Sequence, residues 1–515
     1  MLSALILIPL VGALFTSLWP RRWSGQQVWQ LALVIQGLSL LWSLVLTAQF
    51  DTQQPGLQFV ESLPWIDALG LTYRLGLDGL ALPLLIINSL LGLIAVYASP
   101  AAIKRVRLYY SLVLLINAAV AGAFLSQNFL LFFIFYELEL IPLYLLIAIW
   151  GGARRGYAAT KFLIYTSLSG ALILGGFLGL AWLGNASTFN YDPTLAQSLT
   201  LLQQGILLGA ILVGFGIKIP LFPFHTWLPD AHVEASTPVS VLLAGVLLKL
   251  GTYGLVRFGL QLFPDAWSAL APWLACWAVV SVLYGSLAAI AQQDMKKMVA
   301  YSSIGHMGYI LLATAAATPL AVLGTIMQMV SHGLISGLLF LLVGVVYAKT
   351  GTRDLQVLRG LLNPERGFPI IGSLMILGVM ASAGTPGMVG FISEFVVFRG
   401  GFAVFPVQTL LCMVGSGLTA VYFLLLMNRA FFGRLAVTLP SDTAAPDVML
   451  PPVEWRDRIP ALVLSVVIVV LGLQPSWLSR LSEATTIAMR SSTTEVAQVP
   501  ALQFPPVSVK PNSVL

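Results

Sequence analysis

Residues 203–230 read QQGILLGAILVGFGIKIPLFPFHTWLPD. After two glutamines the run is apolar or small up to Lys218, and Pro220 and Pro223 follow directly. A helix that crosses a bilayer core of about 30 Å needs about 20 such residues. A charge inside that core is costly. Proline removes a backbone donor and clashes with the preceding turn, and in lipid the freed carbonyls are tolerated only against protein or water. The stretch therefore predicts a membrane-crossing helix, over 203–224, that is broken beside a deep lysine. A second stretch, SAGTPGMVGFISEF from Ser382 to Phe395, repeats the arrangement: Gly384, Pro386, Gly387 and Gly390 precede Glu394. Interrupted helices in corresponding positions of two halves point to the ion site of a transporter. The plainer alternative is a pair of kinks, and an ionisable side chain beside each break argues against it.

Outward from these two stretches the whole chain reads the same way. Of its 515 residues, 58% are hydrophobic and 9% charged, and the mean hydropathy is +0.91. Soluble domains carry about 25% charged residues, so most of this chain cannot face water. About fourteen apolar stretches are long enough to cross: 2–20, 29–48, 78–98, 108–126, 129–150, 159–183, 203–224, 237–259, 266–291, 297–317, 319–347, 367–398, 403–428 and 459–474. They predict an all-α integral membrane protein and leave no room for a soluble catalytic domain. The net charge of +6 is too small for a nucleic-acid binder. Cys276 and Cys412 lie in apolar stretches; they cannot supply the four thiolates of an iron–sulfur cluster or a disulfide scaffold. No G-x-G-x-x-G or G-x-x-x-x-G-K-[ST] motif is present, so no usual loop for a nicotinamide, flavin or ATP is expected.

The basic residues predict a topology. Loops after odd-numbered crossings hold eighteen Lys and Arg, and loops after even-numbered crossings hold Arg74, Arg257 and Arg399. By the positive-inside rule the odd loops face the cytoplasm and both termini face the other side. The first stretch has no basic residue before its apolar run, so it is not a cleavable signal peptide. Residues 49–77 form the longest polar connection and are expected to make an ordered cap on the non-cytoplasmic face. The tail from Gln474 onward contains Pro, Ser and Thr with weak periodicity. It is expected to lie along a neighbouring subunit or to lack fixed structure in part. Thr237-Pro238 reads as N-cap and first residue of crossing eight.

Seven ionisable residues fall inside apolar runs: Glu137, Glu139, Lys218, Lys249, His306, His332 and Glu394. Each alone could be a satisfied packing contact. Packing contacts between membrane helices are usually the cheaper Ser, Thr, Asn or Gln, so a file of Lys, His and Glu points to a proton relay. A lysine poised between desolvation and a carboxylate gains or loses a proton as that partner moves. Glu137 is the natural partner for Lys218. Glu139, two residues on, cannot share its helix face and ranks lower. His225 and His232 with Asp230 and Glu234 lack a tight metal-ligand spacing; proton uptake or loop anchoring suits them better.

FFIFYELELIPLYLLIAIWGG from Phe132, KIPLFPFHTWLPDAHVEASTPVSVLLAGVLLKLGTYGL from Lys218 and KKMVAYSSIGHMGYI from Lys296 resemble the proton-pumping antiporter-like subunits of respiratory and photosynthetic complex I. The resemblance covers roughly residues 1–470. It implies fourteen helices with two inverted five-helix repeats, each containing one broken helix. The divisions are 1–107 for helices one to three, 108–260 and 261–435 for the two halves, and 436–515 for the last helix and tail. Glu394 stands where the family's other subunits usually carry lysine, as in the chain 4 type, and YELELIP at Tyr136 is most similar to the cyanobacterial and plastid branch. The resemblance further implies a thylakoid membrane, neighbouring membrane and hydrophilic subunits, and iron–sulfur clusters and plastoquinone in those subunits, with no cofactor in this chain. It carries the relay onto Glu137, Lys218, Lys249, His306, His332 and Glu394. The alternative is a subunit of a multi-subunit sodium/proton antiporter without redox partners.

Overall fold

The computed structural model describes residues 1–18, 24–437 and 450–491. Helices dominate: α1 (Ser3–Leu18), α2 (Gly25–Gln49), α3 (Ala81–Ala98), α4 (Val106–Leu125), α5 (Phe129–Leu138), α6 (Leu140–Trp150) and α7 (Arg155–Leu183). Then come α8 (Leu201–Lys218), α9 (Trp227–Glu234), α10 (Thr237–Leu242), α11 (Leu248–Gly254), α12 (Pro264–Ile290), α13 (Met295–Ala316) and α14 (Pro319–Thr350). The last are α15 (Pro369–Ser382), α16 (Val389–Phe402), α17 (Pro406–Leu426), α18 (Trp455–Leu473) and α19 (Ser476–Ser491). Among the described residues, ten helical spans are long and apolar enough to cross a membrane, or eleven if α18 and α19 count as one bent span. α1 and α15 are shorter apolar helices.

Both expected breaks are present, and the first is sealed by protein. α8 ends at Lys218, and α9 begins nine residues later at Trp227. Pro220 has no N–H to give Gly216, so the N–H of Leu221 reaches that carbonyl instead, at 2.8 Å. The freed carbonyl of Ile217 accepts from the Trp227 indole at 2.8 Å, and the N–H of Phe222 donates to the Ser281 hydroxyl at 3.3 Å. This is the protein-lined satisfaction that a broken helix at membrane depth requires. In the second break, Gly384 and Gly387 adopt φ of +72° and +89°, a region that L-residues rarely occupy. Gly390 opens α16 so close to α15 that a Cβ there would lie 1.8 Å from the Ala381 carbonyl oxygen. Gly390→Ala should therefore prevent the break from closing. The expected result is loss of the subunit from the purified complex, and wild-type incorporation would contradict it.

A second device shapes the helix that carries Lys249. α10 and α11 are joined by a wider π-helical turn at Leu243–Leu247, and another follows at Leu255–Leu260. Such turns leave carbonyls without their usual helical donors. Ser236 has the extended backbone of an N-cap, and Thr237 is already helical. The cap thus sits one residue before the expected Thr237, and Pro238 lies inside the first turn, where its missing N–H costs nothing.

The polar connection at 49–77 is an antiparallel hairpin of β1 (Gln58–Ile66) and β2 (Leu71–Leu77). It is tied to the start of α5 and to the loop before α8. The N–H of Gln127 donates to Arg74 O at 2.8 Å, and that of Phe189 to Gly70 O at 3.1 Å. We call this the hairpin end of the bundle. A smaller pair, β3 (Leu358–Arg359) with β4 (Ala436–Val437), lies in the connections after α14 and α17.

The tail is more regular than expected. From Ser476 it forms α19, bent 65° from α18 and laid on α14 and α3. Its hydroxyls supply the reason: Ser482 donates to Gly79 O at 2.6 Å, and Thr485 accepts from Gly79 N at 3.0 Å. Pro475 cannot continue α18 but suits the start of a new helix. The tail beyond Ser491 lies outside the described residues.

Candidate functional site

α5 and α6 meet at Glu139. Pro142 cannot donate to Leu138 O, and the helix is interrupted there, with α5 ending at Leu138 and α6 starting at Leu140. Glu139 is thereby turned inward and fully buried. Its Oε1 accepts from Nζ of Lys218, itself buried at the end of α8. The ammonium also lies 4.8 Å from the centroid of the Tyr136 ring, a favourable place for a cation. Tyr136 and the Ser169 hydroxyl are 3.0 Å apart, and Ser169 donates to Gly214 O at 2.7 Å, which fixes α5, α7 and α8 together. Oε2 of Glu139 has no protein partner.

This corrects the expected pairing. Glu137 is not the ion-pair partner of Lys218; Glu139 is. The two carboxylates do point to different faces, as two residues of a helix must, and at the interruption it is the second that faces the interior. Glu137 is half-buried at the α5–α7 seam, packed over Gly170: a Cβ at that glycine would lie 2.1 Å from the carboxylate. Pro142, three residues after Glu139, is the sequence signal for the interruption.

From Lys218 the polar row continues into α11. Gly251 brings α11 so near that a Cβ there would lie 3.3 Å from Lys218 Cβ. Two residues before Gly251, Lys249 is buried. Its Nζ donates to Ala244 O at 2.6 Å, a carbonyl of the first π-turn, and lies 2.7 Å from His332 Nδ1 on α14. His332 in turn is 5.6 Å, ring to ring, from His306 on α13. His306 Nδ1 is 3.5 Å from Oε1 of Glu394, and its Nε2 is 3.1 Å from the Ser382 hydroxyl at the second break. Ser416 donates to Oε2 of Glu394 at 2.8 Å.

Lys249, His332, His306 and Glu394 thus form one buried row, and the Lys218–Glu139 pair lies where α8 packs against α11. The structure adds two polar groups that sequence reasoning left out. Gln328 on α14 lies 3.4 Å from His306 Nδ1 and accepts from Ser393 at 2.6 Å. Beside them is a void of ≈ 10 Å³ for a water-sized sphere, lined in part by Ser302, His306, Ser331, His332 and Glu394; that is about the space of one water. A glutamine in an apolar run looks like ordinary packing, so no sequence signal marked it.

His232 is fully buried beside this row, its ring stacked 4.2 Å from Phe340, with no protein partner for either nitrogen. His225 lies nearer the surface, 3.2 Å from the Tyr284 hydroxyl. Asp230 and Glu234 are engaged elsewhere: Asp230 pairs with Lys161 at 2.8 Å, and Glu234 accepts from the N–H of Arg154 at 2.8 Å. No group of three or more His, Cys, Asp or Glu suited to a metal occurs among the described residues.

Residues 126–419 match the family described as NADH:quinone oxidoreductase/Mrp antiporter, TM. The chain belongs to this family. It is 40% identical over 496 residues to NAD(P)H-quinone oxidoreductase chain 4 2 of Thermosynechococcus vestitus, covering 95% of this chain and 91% of that one. It is 38% identical over 521 residues to chain 4 1 of Nostoc sp., covering 98% and 94%. The structure superposes on a chain of respiratory complex I from Thermus thermophilus with a TM-score of 0.84 at 26% identity, covering 96% of this chain and 100% of that one. A chain of the Mrp complex from Dietzia sp. shares the fold, with a TM-score of 0.83 at 22% identity and coverage of 96% and 99%. The chain is a membrane subunit of an NAD(P)H-quinone oxidoreductase of the complex I type, in the chain 4 branch. The sodium/proton antiporter alternative is the less supported one, since at that identity the Mrp likeness shows fold alone.

Proposed function

We propose that this subunit carries protons across the membrane along its buried row, driven by quinone reduction in partner subunits. Fourteen crossings, two inverted five-helix repeats over 108–260 and 261–435, cytoplasmic odd loops and both termini on the other face complete the reading. The partners are the neighbouring antiporter-like and hydrophilic subunits, which hold the iron–sulfur clusters and plastoquinone, in a cyanobacterial thylakoid membrane. The supports for these are the Lys/Arg distribution, the paired breaks and the cyanobacterial relatives.

The observation that carries the relay is the 2.7 Å contact between Lys249 Nζ and His332 Nδ1. An ammonium so placed can hand a proton to Nδ1. The imidazolium formed then releases the proton on its other nitrogen, Nε2, which has no protein partner. The cavity beside His306 has room for the water that would take it, and His306 Nδ1 faces Glu394. Protons enter at the half containing Lys218, pass Lys249, His332 and His306, and leave from Glu394.

Glu139 pairs with Lys218 until it is displaced. Glu137, half-buried at the helix seam, is the group through which the partner subunits act on that pair. Such coupling is a free-energy linkage between sites. Glu394→Gln keeps shape and hydrogen bonding but cannot shuttle a proton. The expected result is quinone reduction without acidification of sealed vesicles containing the assembled complex. Full acidification by that variant would remove Glu394 from the relay.

A further inference from the structure

Above Lys218, toward the hairpin end, the interior of the first half changes character. The Tyr136 ring that faces the ammonium packs 5.4 Å from Phe132 and 6.1 Å from Phe215. Phe132 lies 4.5 Å from Phe258, Phe258 5.0 Å from Phe177, and Phe177 5.1 Å from Phe129. Phe129 opens α5 where the hairpin is tied on, so these rings stack from the lysine to that end of the bundle. Tyr253 closes one side, 6.3 Å from Phe132. Phe129, Phe132, Phe177, Phe215, Tyr253 and Phe258 are all fully or almost fully buried.

The rings are packed against one another and buried. Centroid spacings of 4.5–7 Å are those of rings in contact. Where α11 meets the cluster, a Cβ at Gly254 would lie 2.2 Å from the Phe215 ring. On the hairpin side the rings are capped by a buried ion pair: an Arg257 Nη2 donates to Asp78, and Nη1 donates to Gln261 at 3.0 Å. Tyr191 donates to the same Gln261 oxygen at 3.1 Å. Around Glu394 the second half has the opposite character, with serine hydroxyls, Gln328 and a water-sized void.

We propose that this aromatic cluster, capped by Arg257 and Asp78, is a proton seal that isolates the Lys218–Glu139 pair from the hairpin end. A relay open at both ends of one half would dissipate the gradient it builds. The phenylalanine rings offer no donor or acceptor over which a proton can hop, the Tyr253 hydroxyl is engaged by Phe124 O and Arg257, and the Arg257–Asp78 pair locks the end beyond them. The seal would force a proton that reaches Lys218 to continue sideways to Lys249. This inference rests on the relay reading, and its test separates the two.

The intact complex is reconstituted in sealed vesicles loaded with a pH-sensitive dye, and a pH step is applied without electron donor. Phe258→Ala opens the middle of the stack, and Phe177→Ala opens its edge in case the first variant does not assemble. The expected result for an assembled variant is a passive proton leak about tenfold or more above wild type, a barrier lowered by about 1.4 kcal/mol. Quinone reduction, which occurs in other subunits, should be unchanged, and steady-state acidification should fall. If both variants assemble and neither leaks, the seal is wrong even if Lys218→Ala stops pumping. If Phe258→Ala leaks and the leak survives when Lys218→Ala is added, the seal stands and the route through Lys218 is wrong. If the added Lys218→Ala removes the leak, both stand.

Discussion

Replacing Lys249 with methionine is expected to stop proton translocation while leaving the complex assembled. The two side chains are similar in length, and the site is buried, so methionine fills the space. Lys249 has no carboxylate among its contacts in the described residues; its ammonium is held by a carbonyl and an imidazole. Removing a buried charge without leaving an opposite one unpaired avoids the large penalty of a broken ion pair. What remains is the loss of a donor to Ala244 O and His332 Nδ1, about 1–3 kcal/mol for a buried acceptor left alone. A large membrane subunit tolerates that. On the proposed relay translocation does not, because there Lys249 is the protonable group between the Lys218 pair and His332. The ratio of protons moved to quinone reduced, measured in sealed vesicles, should fall to background with quinone reduction still detectable. A wild-type ratio would show that protons bypass α11.

What the sequence disclosed and what it withheld follow from the range of the physics involved. The two breaks were legible because proline and glycine act on their own backbone: Pro220, Pro223, Gly384 and Gly387 stand where the helices stop. Burial of Lys218, Lys249, His306, His332 and Glu394 was legible because ionisable side chains in apolar runs are rare. Pairing was not. Lys249 and His332 are 83 residues apart, and no local rule brings α11 to α14. The π-turn that frees Ala244 O leaves no mark in composition. α19 was missed for a related reason, since its Ser and Thr side chains are read locally as helix competitors, whereas here they bond Gly79 just before α3. Glu137 and Glu139 were the hardest case: helical periodicity separates their faces but cannot say which one faces inward.

That choice has the second large consequence. Glu139→Gln should both destabilise the assembled complex and abolish translocation. With the carboxylate gone, the Lys218 ammonium is left buried without its ion-pair partner, and breaking a buried pair in this way costs about 3–5 kcal/mol. The lysine escapes the cost by giving up its proton, which removes it from the relay, so the two losses have one cause. Glu137→Gln should behave differently. It leaves the Lys218–Glu139 contact intact, and its half-buried site over Gly170 accepts an amide of the same shape. The complex should then melt as wild type does, while coupling to quinone reduction weakens. Thermal unfolding and vesicle acidification, measured on both variants, separate the two carboxylates. If Glu137→Gln lowered the melting temperature as far as Glu139→Gln, the lysine would be shared between them, and Glu139 would not be its sole partner. If Glu139→Gln left melting and translocation unchanged, Lys218 would have no need of the anion beside it, and the first step of the relay would fail.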